Sequence, residues 1–278
     1  MITSQTRKAY PTDLNDNEWN VIAPLMPQQS STGRPREHCF REILNAIFYV
    51  TKNGCHWRAL PHDFPPWQSI YHYFRLWRIN GRWERLNKAL REAIREKQGR
   101  HKQPSAAILD SQSVKTVEGG EERGYDAGKN VGGRKRHLIV DTLGLVLLVI
   151  VTAASVQDRD GGKMLLKSLF ERIKKPHPRY PHWWRFCRLT LIWADGSYRG
   201  ELVDWVKGVL GWQLKVVDKA PGQKGFVVLP RRWVVERTFA WLNRQRRLSK
   251  DYERLPETSE AFIYVAMIRL MVRNLAHV

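Results

Sequence analysis

Three acidic residues, Asp110, Asp195 and Glu236, stand where a carboxylate can do chemistry. Asp110 closes the apolar run Ala106-Ala-Ile-Leu, and Asp195 closes Leu189-Thr-Leu-Ile-Trp-Ala. Glu236 falls in the first turns of an amphipathic segment that begins at Arg231. An acid ending a buried strand lies at its carboxyl end, where α/β sheets gather their ligands. If the two strands are neighbours, the two Asp face each other and a nearby helix can project Glu236 into the same cleft. Three carboxylates so placed repel one another and need a compensating charge. Two Mg²⁺ or Mn²⁺ ions, about 4 Å apart, supply it with hard-oxygen coordination and hold the attacking and leaving oxygens of a phosphodiester in line. Plainer roles compete with this reading. An Asp after a strand is commonly a turn former or a helix cap, and a lone Glu236 reads as a helix-surface charge. The matched positions of all three in a basic chain favour the joint reading. Asp141 is assigned to a hairpin turn, and Asp158 and Asp160 to a helix cap, with an accessory role open to Asp158. Asp218 has no evident partner.

The elements that must position these acids follow from the periodicity of the second part of the chain. Ala106–Asp110 is a short strand, and residues 115–135 form a loop rich in Gly and Lys. Residues 136–144 and 145–154 make a hairpin, with Asp141 to Gly144 at the turn. A helix from Asp158 to about Lys174, a strand ending at Asp195, a helix over 200–209 and a strand over 212–217 come next. A long helix over 231–248 carries Glu236, and a last helix covers 259–275. The result is a mixed five-stranded sheet with flanking helices.

The first hundred residues are helical. Asp13 to Glu18 offers N-caps ahead of Trp19, Ile22 and Leu25, and a second helix starts at Pro35 and stops at the left-handed Gly54. Residues 66–78 put Ile70, Tyr73, Phe74 and Trp77 on one stripe and Gln68, His72, Arg75 and Arg78 mostly on others. A charged helix runs from Arg82 to Lys97, and residues 98–105 are a linker. Helix, turn and helix with polar and basic residues on the second member resembles a DNA-reading module, although any small helical bundle shares the periodicity. The chain therefore divides into residues 1–104, helix-turn-helix-like and DNA-binding, and residues 105–278, catalytic.

Charge supports a polyanionic partner. Of 278 residues, 47 are Lys or Arg and 27 are Asp or Glu, so the net charge is +20. Residues 1–104 hold 17 basic against 9 acidic residues and residues 105–278 hold 30 against 18, so the basic field is no detachable tail. Candidate DNA contacts are Gln68, His72, Arg75 and Arg78, then Lys129, Arg134 and Lys135 in the loop with Arg136 after it, and Arg232, Arg237, Asn243, Arg244, Arg246 and Arg247 around Glu236. A hydrophobic content of 42% with 12 Trp excludes a disordered chain. Cys39, Cys55 and Cys187 are too scattered for a disulfide framework, and Cys55-His56 and His182…Cys187 lack the paired spacing of zinc sites. The amino-terminal residues have no apolar signal core, and the longest apolar run, Leu143 to Ala154, is too short to span a bilayer. A soluble, cytoplasmic protein without membrane contact is expected.

Gly133-Arg-Lys-Arg-His-Leu-Ile-Val-Asp-Thr-Leu-Gly144, Ala194-Asp-Gly-Ser-Tyr198 and Trp233-Val-Val-Glu-Arg-Thr-Phe-Ala-Trp241 resemble bacterial insertion-sequence transposases of the insertion-sequence-five group. Gly54-Cys-His-Trp-Arg-Ala-Leu-Pro61, Trp67 and Trp83 resemble that group's amino-terminal domain, so the likeness covers nearly the whole chain. It implies an RNase H-like catalytic domain whose DDE triad is Asp110, Asp195 and Glu236. It further implies Mg²⁺ or Mn²⁺, two per active site, and double-stranded DNA as partner, both terminal inverted repeats and target. A homodimer or larger assembly on DNA and a place at the bacterial nucleoid follow from it as well. The group also spaces Tyr, Arg, Glu and Lys along the last catalytic helix. Arg232 and Glu236 match that pattern, while Leu229 and Asn243 depart from it. A nuclease or resolvase on the same fold that cuts without joining, and a non-catalytic DNA-binding regulator, are the alternatives.

Overall fold

The structure, a computed structural model, describes residues 7–28, 37–117, 120–174, 188–217 and 231–277. The expectations placed on Pro35, His182, Cys187, Asp218 and Leu229 lie outside these residues.

Helices α1 (Asp16–Ile22), α2 (Phe40–Asn53), α3 (Trp67–Ile79) and α4 (Arg82–Lys97) come first. Asn15 starts α1 with a capping box: its side chain accepts the Glu18 N–H, and the Glu18 carboxylate accepts the Asn15 N–H. Gly54 ends α2 with φ 75°, a conformation that costs glycine little. α3 buries Ile70, Phe74 and Trp77 and leaves Gln68, His72 and Arg75 in solvent. Its polar face is therefore open, as the stripe of apolar residues predicts.

The rest of the chain is an RNase H-like α/β unit. Its strands are β1 (Ala106–Lys115), β2 (Gly124–Asp126), β3 (Val131–Asp141), β4 (Val146–Ala153), β5 (Leu191–Ala194) and β6 (Gln213–Val216). They lie in the order β2-β3-β1-β5-β6, with β4 also paired to β3. β3 pairs antiparallel with β1, β2 and β4, whereas β1, β5 and β6 run parallel. Helices α5 (Asp158–Lys174), α6 (Glu201–Trp205), α7 (Trp233–Asn243) and α8 (Pro256–Ala276) flank the sheet.

Two expectations need correction. The sheet has six strands rather than five, because residues 115–135 are not one loop: β1 reaches Lys115, β3 begins at Val131, and β2 lies between them. That stretch shows no apolar alternation because ion pairs satisfy its side chains. Arg134 meets Asp251, and Lys135 meets Asp126 and Asp158. The second concerns the helix over 231–248, which is shorter than expected. α7 stops at Asn243 and a 3₁₀ turn follows at Arg246–Leu248.

Strand alternation splits the core between the two faces of the sheet. Ile108, Leu138 and Val140 pack with α7, α8 and the amino-terminal helices, while Leu109, Ile139, Leu165 and Leu166 join the cluster under α5 and α6. The first cluster runs across residue 104 without a break. There, Asn87 Nδ2 and Arg91 Nη1 donate to the Val146 carbonyl at 2.8 and 3.0 Å, and Arg95 Nη1 reaches Asp141 Oδ2 at 2.8 Å. Asp141 also accepts the N–H groups of Leu143 and Leu145, so it forms the hairpin turn assigned to it.

Candidate active site

β5 accompanies β1 only as far as the Ile108–Trp193 pair. Asp110 lies two residues beyond Ile108, and Asp195 two beyond Trp193, so the two acids flank the point where the parallel strands part. Asp110 is consequently not at the end of its strand. The β1–β3 ladder carries on to Lys115, and only the pairing with β5 ends. Asp110 shares the face of Ile108, against which α7 packs.

α7 is tied to the β3–β4 turn, and this tie places Glu236. Thr238 Oγ1 donates to the Gly144 carbonyl at 2.7 Å and Arg237 Nη2 to the Leu143 carbonyl at 2.9 Å. Gly144 has φ 82°, and a Cβ there would stand 2.9 Å from Thr238 Oγ1. A larger residue would strain the turn and push α7 away.

The three acids converge on one atom. Arg232 Nη2 lies 3.3 Å from Asp195 Oδ2, 3.9 Å from Asp110 Oδ2 and 3.9 Å from Glu236 Oε1. No two of these oxygens are therefore further apart than twice the longest of those distances. Asp195 Oδ1 also accepts the Ser197 N–H at 2.9 Å, so it caps the turn after β5 while facing the cluster. Burial lifts the Asp110 carboxyl to about 7, and the charge of Asp195 adds to the rise. The Ser111 N–H, Arg232 and Lys129 pull in the opposite direction. Tyr198 lies buried near the acids, its phenol held well above its ordinary range by burial and by the charges of Asp110, Asp158 and Asp195.

Among the described residues no three carboxylate, imidazole or thiol side chains form a ready-made metal cage. The donor chemistry nevertheless suits a hard divalent cation: three carboxylates, one of them strongly desolvated, gathered around a positive charge. Asp110, Asp195 and Glu236 are the residues that would hold it.

Behind β1, on the α5 side of the sheet, lies a polar network that the sequence reading missed. Ser111 Oγ donates to Asp158 Oδ1 at 2.7 Å, and Ser113 Oγ to Asp126 Oδ2 at 2.5 Å. Lys135 Nζ bridges the two carboxylates at 2.8 and 3.1 Å. Burial pushes Asp158 up, but the hydrogen bonds from Lys135 and Ser111 outweigh it and leave the group below its usual value. Next to them burial depresses His137 to about 4. The alternation of Ser111 and Ser113 with the Asp110 face was the available signal.

The candidate DNA contacts fall into two sets. Gln68, His72, Arg75, Lys129, Asn243, Arg244 and Arg246 are exposed, and Arg78 and Arg237 are half-buried. Arg134, Lys135, Arg136 and Arg247 correct the sequence reading, being buried and bound within the protein. Arg134 pairs with Asp251 and donates to the carbonyls of Glu253 and Arg254. Arg136 donates to those of Leu248 and Lys250, and Arg247 meets Glu253. A basic string was read as a surface, but Arg134 and Arg136 hold the segment after α7 against β3, and Lys135 pairs with Asp126 and Asp158. Arg232 is occupied by the acid cluster.

Residues 101–271 match the family model described as transposase DDE domain. The chain belongs to that family. Residues 14–87 match a second model, described as putative transposase of IS4/5 family. Among curated proteins of Burkholderia cepacia, the putative transposase for insertion sequence element IS402 is 31% identical over 132 residues, 47% of this chain and 59% of that protein. The insertion element IS402 uncharacterized 16.2 kDa protein is 30% identical over 119 residues, 40% of this chain and 78% of its own length. No solved structure matches the chain. Divalent metals such as Mg²⁺ are general to the DDE transposase family, in keeping with the donor set. No helix among the described residues is long and apolar enough to cross a membrane.

Proposed function

We propose that this chain cuts DNA at the ends of a mobile element and joins those ends to target DNA, with Asp110, Asp195 and Glu236 as the catalytic triad. The observation that carries the reading is the approach of all three carboxylates to a single cationic atom. Two Mg²⁺ or Mn²⁺ ions held by the triad would supply Lewis-acid activation of the attacking and leaving oxygens. Asp110 on β1 and Asp195 just after β5 fix one side of the site, and Glu236 closes it from α7. Arg232 neutralises the acids and can turn to a phosphate oxygen once they are otherwise compensated.

DNA phosphates are held by the exposed face of α3 (Gln68, His72, Arg75, Arg78) and by Lys129, Arg237, Asn243, Arg244 and Arg246. Residues 1–104 act as the DNA-binding part and residues 105–278 as the catalytic part. The substrates are the terminal inverted repeats and a target duplex, engaged by a homodimer or larger assembly at the nucleoid in the cytoplasm.

Incubation of the chain with precut element ends, target DNA and Mg²⁺ tests the reading. Joined products are expected. Hydrolysis alone would assign the site to a nuclease on the same fold.

A further inference from the structure

A second charged feature lies on the flank of α7, away from the acid cluster. A cavity of about 550 Å³ there is bounded by Lys52, Arg237, Trp241, Arg244, Arg269 and Arg273. A second cavity, of about 380 Å³, shares Lys52, Gln245, Arg269 and Arg273 with it, so the two form one trough from α7 to the end of α2. Among the described residues neither is lined by a carboxylate. Arg269 is paired with Glu18 at 2.8 Å, and Arg273 lies 3.9 Å from the same acid. Lys52, Arg237 and Arg244 have no carboxylate within ion-pair distance among the described residues. Lys52 donates to the Arg244 carbonyl at 2.9 Å, and Arg237 lies between the rings of Trp233 and Trp241 at 4.6 and 4.7 Å. The floor is apolar, with Leu143, Leu145 and Leu270 beside Trp241.

Cations on the rim and an aromatic, apolar floor in a narrow concavity suit one strand of nucleic acid, with phosphates on the rim and a base face on the ring. Cavities of about 550 and 380 Å³ are small for a duplex, which the exposed face of α3 suits better. The trough begins one residue after Glu236, at Arg237, and reaches Arg244, eight residues from Glu236 and about 12 Å along the helix axis. We infer that this trough is a binding track for single-stranded DNA, carrying the strand that leaves the acid centre along α7. The inference rests on the DNA-processing reading of the triad, and it adds a site separate from α3.

The test is fluorescence anisotropy of the full chain with a dye-labelled 15-nucleotide oligo(dT) and with a 15-base-pair duplex, across a salt series without divalent metal. The Lys52→Ala/Arg273→Ala double variant changes two exposed side chains that line both cavities. It is expected to weaken oligo(dT) binding about tenfold, to reduce the salt slope by about 1.4, and to hold duplex binding within about twofold. Arg75→Ala on α3 should do the reverse. Bromouracil-substituted oligo(dT), photocrosslinked to the unmodified chain, should label the peptide that contains Trp241. Unchanged oligo(dT) affinity in the double variant, an equal loss of duplex binding, or labelling elsewhere would overturn the inference. Asp195→Ala should bind oligo(dT) like the parent. Failure of the triad reading would thus appear in cleavage alone, and failure of the track in single-strand binding alone.

Discussion

Arg232 and Asp195 lie 3.3 Å apart, and through this contact a single guanidinium reaches every acid of the proposed triad. The arginine is four residues before Glu236, one helical turn, so the helix that delivers the third carboxylate also delivers its counter-charge. Substituting Arg232 by Gln should leave the acids less compensated. Titrated by calorimetry with Mn²⁺, that variant should bind metal more tightly than the parent, since no side-chain cation competes. Weaker binding would mean that Arg232 supports the metal site rather than competing for it.

Gly161 on α5 faces His137 so closely that an added Cβ would fall 2.1 Å from the imidazole. Overpacking of this kind commonly costs about 1–3 kcal/mol, sometimes more. Gly161→Ala should therefore lower the melting temperature by several degrees, and His137→Ala in the same chain should restore part of it. An unaltered melting temperature in Gly161→Ala would show that the helix does not press on the ring.

Arg134 and Arg75 separate structure from binding. Arg134 is fully buried against Asp251, and breaking a buried pair costs about 3–5 kcal/mol. Arg134→Ala should destabilise the fold and hardly change the salt dependence of DNA binding in the protein that remains folded. Arg75→Ala should leave the melting temperature alone and flatten that dependence. Thermal denaturation and a binding isotherm at several salt concentrations read both effects.

Glu260 Oε1 accepts the Val151 N–H at 2.9 Å, and burial raises its carboxyl to about 8, with the charges of Glu84 and Glu257 adding to it. A group whose pKa is higher folded than unfolded loses its stabilising contribution as pH rises from its unfolded value, near 4.5, to about 8. Glu260→Gln keeps the acceptor and removes the titration. Its stability relative to the parent should grow between pH 5 and 8, followed by melting temperature at each pH. A constant difference across that window would contradict the assignment.

The convergence of the three acids was legible in the sequence because each is tied to an element with a clear period: Asp110 and Asp195 to an apolar run, Glu236 to the start of an amphipathic helix. The open face of α3 was legible for the same reason. Residues 115–135 were not, because β2 and the ends of β1 and β3 carry charged side chains that are satisfied across the fold by Asp126, Asp158 and Asp251. Asp251 lies more than a hundred positions from Arg134, and Asp126 and Asp158 pair with Lys135 at neither a helical nor a strand spacing, so no local period is left to read. The burial of Arg134 and Arg136 was hidden for that reason, and so was the trough, whose cations come from α2, α7 and α8.

The most direct test is strand cleavage of end-bearing DNA in Mg²⁺ by Asp110→Ala, Asp195→Ala and Glu236→Ala, each assayed beside its own DNA-binding isotherm. The account predicts no detectable cleavage by any of the three, with binding close to that of the parent. Near-normal cleavage by any one of them would contradict it.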